Sequence, residues 1–319
     1  MIFLNEDIVS NGFSGASSEL RKLNEELGLN EADFAQFANP NAGYEICYEM
    51  EVAFNTLERQ MLNEEAAILL SEAEEEGEKE SKGFWTKVWE TLVKWAKYFV
   101  EILAKAWNAI KNFFKKIWEF LFGKKAKEQV EETKKELKLA ASDIKYKFVK
   151  VDFDAIKAMW SKLQKIEAEA KKSVNDGTVV VDAKALQAFV KDVKKDLEGD
   201  VKKFKENKDA VIGTAAEAEK NLENAVQSSG FVDFIQKMTD SFLAKSRAYT
   251  ANTKKQADKI KALTGKKDSK EDLKEARNAA GAYKALATLM KELATTGTSI
   301  VSMVSPAIRG AQNPKKVRA

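Results

Sequence analysis

Between Phe84 and Phe122 the apolar residues recur at alternating spacings of four and three: Trp85, Trp89, Leu92, Ala96, Phe99, Leu103, Ala106, Ile110, Phe113, Ile117 and Phe120. This is a coiled-coil-like a/d seam held for about five heptads, and it predicts one long helix. Val88, Trp95, Ile102 and Ala109 widen the seam on one flank. Val93, Val100, Trp107, Phe114 and Leu121 widen it on the other. Charges keep to the remaining face, at Lys87, Glu90, Lys94, Lys97, Glu101, Lys105, Lys111 and Lys115. A face this broad and aromatic has to be sheltered. Three shelters fit: the core of a helical bundle, a partner or second copy, or a membrane surface, where tryptophan and lysine on opposite faces are at home. The residues that would make a membrane or partner face are Trp85, Trp89, Leu92, Trp95, Phe99, Leu103, Trp107, Ile110, Phe113, Phe114, Ile117 and Trp118.

The same helical period runs through most of the chain. Leu20, Leu23 and Leu27 suggest a short helix, and a second is expected from Asn30 through Phe37. The run Asn39-Pro40-Asn41-Ala42-Gly43 is a strong break. Ile46, Met50, Phe54, Leu57, Met61 and Ile68 predict a helix over 44–70. A helical pattern continues over 126–172, sparser than the central one, with a candidate break at 149–154. Asn175-Asp176-Gly177 reads as a turn, and the β-branched run Thr178-Val179-Val180-Val181 as a short extended segment. Asp182 is a good cap for a helix through Leu197. Gly199-Asp200 is expected to restart a helix, and Ser228-Ser229-Gly230 to interrupt the chain before another helix over 231–263. Ser269 and Asp272 resemble a capping box for a last, alanine-rich helix over 270–303 that Pro306 ends. A basic tail, 312–319, closes the chain.

Composition agrees with an all-α class of long amphipathic helices, bundle-like or extended: 319 residues contain only 3 prolines and 15 glycines. The lack of histidine removes the commonest general base and metal ligand. The single cysteine, Cys47, allows no internal disulfide. With no Gly-rich phosphate loop either, nothing converges on a reaction, so no enzyme, catalytic residue, metal site or cofactor is expected. Lysine or glutamate in every turn of the central helix argues against a plain transmembrane span, and the acidic start does not read as a secretory signal.

Charge changes the picture most. Residues 1–80 carry 19 Asp/Glu and 4 Lys/Arg, whereas 81–319 carry 31 and 49. The balance therefore moves from −15 to +18 across a few residues. The organisation reads as an acidic region over 1–72, an acidic linker over 73–82, and a basic helical body over 83–319. An acidic piece joined to a basic body points toward a polyanion or an anionic surface. Lysines scattered along helices favour salt-sensitive, non-specific attraction.

The tripeptide Leu70-Ser71-Glu72, overlapped by Ala73-Glu74-Glu75, sits just before the switch in sign. With the charge division it resembles the organisation of internal head proteins of large tailed phages. The resemblance implies a non-enzymatic virion protein. Its acidic leader would target it to the prohead and be cut off by a maturation protease at a site formed by Leu70, Glu72, Ala73 and Glu75. Its basic helical body would stay with packaged DNA in the virion interior or be delivered to the host. Capsid or prohead proteins and DNA are the partners so implied. Two alternatives remain: a membrane-active helical protein such as a pore-forming toxin or effector, using the 84–122 helix, and a self-assembling helical scaffold or adaptor. These would be cytoplasmic or membrane-associated.

Overall fold

A computed structural model describes residues 47–60, 63, 82–206, 210–266 and 269–317. The chain is all-α, with small antiparallel sheets attached. The helices are α1 (47–60), α2 (Lys82–Phe122), α3 (Lys124–Leu139), α4 (Phe153–Lys171), α5 (Ala183–Glu206), α6 (Ala215–Leu263) and α7 (Lys270–Gln312). Between them lie β1 (Lys145–Val149), β2 (Val174–Asn175), β3 (Thr178–Val179) and β4 (Ala210–Thr214), with β5 (Lys315–Val317) after α7. The short helices expected before residue 39, the acidic linker, and the tripeptide residues Leu70, Glu72, Ala73 and Glu75 lie outside the described residues.

Three rods set the frame. At about 1.5 Å per residue α2, α6 and α7 are each roughly 60–75 Å long. α2 and α7 run in the same direction. Phe84 and Trp85 cluster with Leu273 and Ala276 near the start of α7, and the Gln312 side-chain amide donates to the Leu121 carbonyl at the other end. α6 runs the opposite way, with Ala257 and Ile260 against the start of α2. The expected seam of α2 faces this partner set. Every seam residue is buried except Trp89, which is half-buried, and all eight charges of the opposite face are exposed. The bundle itself is thus the shelter for most of the aromatic face.

α7 is the axis of the bundle. From Tyr283 to Gln312 nearly all its positions are buried, including serines and threonines whose hydroxyls donate to carbonyls one turn back, such as Thr298 to Ala294 and Ser305 to Val301. Its small residues let neighbours come close. A methyl group added at Gly281 would meet the Ala183 side chain at 3.0 Å, and one at Gly297 would meet the Thr239 hydroxyl at 3.1 Å.

Several local expectations are corrected. The stretch 126–172 is not one interrupted helix. It is α3, then strand β1, then α4, so Ile144, Phe148 and Val151 lie off any helix. Lys145-Tyr146-Lys147-Phe148 alternates exposed and buried, the period-2 signature of a half-buried strand. β1 is the middle of a sheet ordered β4-β1-β5, with Tyr146 opposite Gly213 on one side and Lys316 on the other. Part of the basic tail is therefore β5. Gly199 does not restart a helix. It lies on the exposed face of α5, where its cost of about 1 kcal/mol is outweighed by the buried stripe Leu186, Val190, Val193 and Leu197. Ser228-Ser229-Gly230 does not break α6. The Ser228 hydroxyl donates to the Asn224 carbonyl inside the helix, and buried Ala225, Val232 and Ile235 carry the packing across. Pro306 lies inside α7 rather than ending it, because the surrounding residues are buried and hold the helix against a penalty of about 3 kcal/mol. Ser269 forms no capping box. Its hydroxyl donates to the carbonyls of Leu263 and Lys266. The box is instead at Thr214 and Glu217, which begin α6.

The expected turn forms. Asp176 and Gly177 both have positive φ, 47° and 75°, which joins β2 to β3 as a two-residue hairpin. Asp182 caps α5 through the amides of Lys184 and Ala185.

Candidate functional site

α1 is the described part of the acidic region, and it does not stand apart from the basic body. Met50, Phe54 and Leu57 recur every three to four residues on one face of it and are buried in the main core. Phe54 meets Phe99 of α2 with ring centroids 4.6 Å apart, and Phe99 meets Trp95 at 4.5 Å.

One turn from Phe54 the contact becomes ionic. The Glu51 carboxylate accepts from Lys291 at 2.8 Å and also from Lys194. Lys291 in turn lies 2.5 Å from Glu292, and Lys194 lies 3.6 Å from it. Two lysines and two glutamates from α1, α5 and α7 thus alternate in sign around one point. Helix geometry explains the assembly: Lys291 sits on the inward face of α7, where only a paired cation is tolerated. Its side chain is 2 % exposed. The Nζ also lies 4.7 Å from the Phe54 ring centre, so the anchor and the ion cluster share one cation.

The electrostatics follow from this packing. Burial opposes ionisation of Glu51, but the Lys291 charge and the hydrogen bonds from both lysines outweigh it and hold the carboxyl below its ordinary 4.5. Burial opposes the charge on Lys291 too, and Glu292 and Glu51 more than reverse that, so its pKa is raised above 10.5. Lys194 is raised in the same way, with Glu292 and Glu51 outweighing its desolvation. A lysine held this firmly protonated is a poor nucleophile. Cys47, one turn before Glu51, donates to the Thr295 carbonyl at 3.5 Å, and burial pushes its thiol up to about 12. That too removes reactivity. The cluster acts as a clasp that ties α1 to α5 and α7. Next to it the described residues leave a cleft of about 690 Å³ between α1, α5 and α7, bordered by Tyr48, Leu197, Thr296, Ser299 and Met303.

The pH dependence has a defined sign. A carboxyl held low in the fold contributes stability that is full above about 4.5 and is lost as pH falls through the depressed value. Lysines held high contribute stability that is full below about 10.5 and is lost as pH rises through the raised values. Urea midpoints should therefore form a plateau at intermediate pH and fall toward both extremes. Glu51→Gln should flatten the acid limb.

The face proposed for a membrane or partner is largely used within the chain. Trp85 and Leu92 belong to the cluster at the start of α2, with Trp89 packed against it. Trp95, Phe99, Leu103, Ile110, Phe113, Phe114 and Ile117 belong to the main core. Trp107 is half-buried, and its indole N–H donates to Asp240 of α6 at 3.1 Å. Trp118 is the outward one, 43 % exposed beside Phe122.

Sequence reasoning missed the clasp. Glu51 and Lys194 look like surface charges in a linear reading, and only the pair Lys291-Glu292, followed by the uncharged run from Leu293 to Ile308, carried a hint of burial. It also missed two asparagines that tie loops to helices. Asn221 accepts from the Val151 amide and donates to the Val149 carbonyl, and Asn278 does the same for Ala183 and Val181. Among the described residues no three His, Cys, Asp or Glu side chains come together as a metal site, and no helix is long and apolar enough to cross a membrane. Compared with protein-family models, curated proteins and solved structures, the chain matches none.

Proposed function

We propose that this is a non-enzymatic helical virion protein, made with an acidic leader that is docked on its basic body until a protease separates them. The observation that carries the reading is the clasp: an acidic helix from before the change in charge sign, held by Glu51 on two lysines of the body. The candidate cut after Glu72 would fall between α1 and α2 in the chain, so it would sever the leader without touching the rods. Once cut, what holds α1 among the described residues would be its apolar anchors, the clasp and the Cys47 contact with Thr295. Met50, Phe54 and Leu57 contribute at most about 5–8 kcal/mol between them by burial. That holds a tethered helix well and a severed one only weakly, because a severed helix also gains the freedom of a separate molecule. Intact-mass measurement on the protein recovered from its native particle tests this. The expected mass is that of the chain lacking residues 1–72. A mass that includes them would end the leader reading.

A second reading, a membrane-active protein, is favoured by the uncharged run Leu293–Ile308 in the axis helix, sheathed by amphipathic neighbours. At about 24 Å it falls short of a hydrocarbon core of about 30 Å. It therefore ranks second, and dye release from anionic vesicles by the full chain would raise it.

A further inference from the structure

A cleft of about 390 Å³ lies where α4, the last turns of α5 and the segment joining β1 to α4 meet the far end of α7. Its wall is apolar. Val151, Ile156, Met159, Met303 and Val304 line it, and none is more than 8 % exposed, so the space is a recess and not a flat patch. Ala155, Ala158 and Ala307 complete the lining, and their methyl groups leave open the volume a larger side chain would fill. The two methionines are unbranched and adapt to what lies against them. A concave, mostly apolar space of roughly 300–1,000 Å³ with a few polar groups at its rim is the usual form of a small-molecule site.

The charges at the rim balance, with one exception. Lys162 Nζ lies 2.5 Å from both Asp196 and Asp200, and Lys203 lies 3.7 Å from Asp200, so two lysines there meet two aspartates. Asp152 accepts the Ala155 amide at 2.9 Å as the cap of α4, and the first-turn N–H groups of that helix answer its charge. Asp154, the next acid along, lies 3.8 Å from Lys157. Lys150 remains. It is exposed, and among the described residues no carboxylate pairs with it. Its backbone is nevertheless fixed, because Asn221 accepts from the Val151 amide and donates to the Val149 carbonyl on either side of it.

We propose that this cleft binds one aliphatic acyl chain, its tail against the apolar wall and its anionic head at Lys150. A wall of aliphatic and thioether side chains offers a ligand no hydrogen bonds, so a hydrocarbon tail is what it accepts without a desolvation cost. The one cation at the rim without a carboxylate partner favours an anionic head over a neutral or positive one. A free fatty carboxylate and a lipid of an anionic membrane share this chemistry. The site uses none of the clasp residues and stands whether or not the leader is removed.

The test is isothermal titration calorimetry of the full chain with hexanoate, octanoate and decanoate, and with 1-octanol as the neutral congener of octanoate. Affinity should rise by about fourfold for each added methylene until the recess is full. Ala307→Leu fills the recess from α7, and Ala158→Phe fills it from an exposed position of α4 that the fold does not depend on. Each should weaken both octanoate and octanol by about tenfold or more, because the tail is then overpacked. Lys150→Gln should weaken octanoate by about twofold to fivefold, as expected of an exposed ion pair, and leave octanol unchanged. Three results would overturn the proposal: no binding by the unaltered chain, affinity that does not depend on chain length, or Ala158→Phe binding as tightly as the unaltered protein. Equal weakening of octanol and octanoate by Lys150→Gln would overturn the assignment of the head. Vesicles of phosphatidylglycerol and phosphatidylcholine separate the two sources. Co-sedimentation that is lost in Ala158→Phe identifies a membrane acyl chain, and octanoate binding without co-sedimentation identifies a free one.

Discussion

Lys291→Met should lower the stability of the protein by about 3–5 kcal/mol, the largest effect expected of any single change to a charged residue here. The substitution keeps the volume and removes the buried cation, leaving Glu292 and Glu51 to share Lys194, which lies 3.6 Å from Glu292. An uncompensated buried carboxylate is costly because water cannot replace the missing partner. Equilibrium urea unfolding near neutral pH measures the effect. Adding Glu292→Leu should restore part of the stability, since that removes the more buried of the two carboxylates left to share Lys194. A decrease under about 1 kcal/mol would mean that both glutamates already reach solvent, and the clasp would then be a surface ion pair of small worth.

Phe99→Ala should cost a similar 3–5 kcal/mol for a different reason. Phe99 is 1 % exposed and joins the rings of Phe54 and Trp95, so its removal opens a cavity between α1 and α2 that the rods are too constrained to fill. Phe54→Ala removes a ring of the same size from the other side of the same contact, yet its consequence should be local. α1 is tied to the bundle by one face and the clasp, so it should open without the rods unfolding. Cys47 reports the opening, because its thiol lies on the buried face of α1 against Thr295 and is pushed up to about 12. In the unaltered protein, thiol labelling under native conditions should be slow. In Phe54→Ala it should speed up by two or more orders of magnitude, while the main unfolding transition moves less than in Phe99→Ala. If Cys47 reacts only when the whole protein unfolds, in both variants, α1 is an inseparable part of the core. A leader that departs after cleavage would then be untenable.

The legibility of this chain divides by range. α2 is readable residue by residue: its seam, flanks and charged face occupy the expected sides, because a period-3.6 pattern is local and a rod of about 60 Å repeats it many times. The Asp176-Gly177 turn is readable for the same reason, since positive φ is a property of the residues that adopt it. The breaks are less legible. Gly199, Ser228-Ser229-Gly230 and Pro306 are weak helix residues, and propensity alone puts boundaries there. In each case the burial of neighbouring side chains outweighs a local cost of about 1–3 kcal/mol. Conversely, β1 escapes a linear reading although Lys145-Tyr146-Lys147-Phe148 alternates. Four residues of alternation are too few to override a helical context, and the strand exists because β4 and β5 flank it.

The sequence by itself determined the long amphipathic rod α2, the all-α class and the −15 to +18 division of charge. Each of these is a sum over near neighbours or over composition, so no contact need be known. The tertiary structure alone decided that the aromatic face of α2 is turned largely inward, that α7 is the buried axis, and that Glu51 reaches Lys291 across 240 positions of chain. It also decided which lysines meet carboxylates, as Lys291 and Lys194 meet Glu51 and Glu292. The physical reason is that the effect of a charge depends on what lies within a few ångströms of it, and in a bundle of long rods those neighbours come from distant parts of the chain.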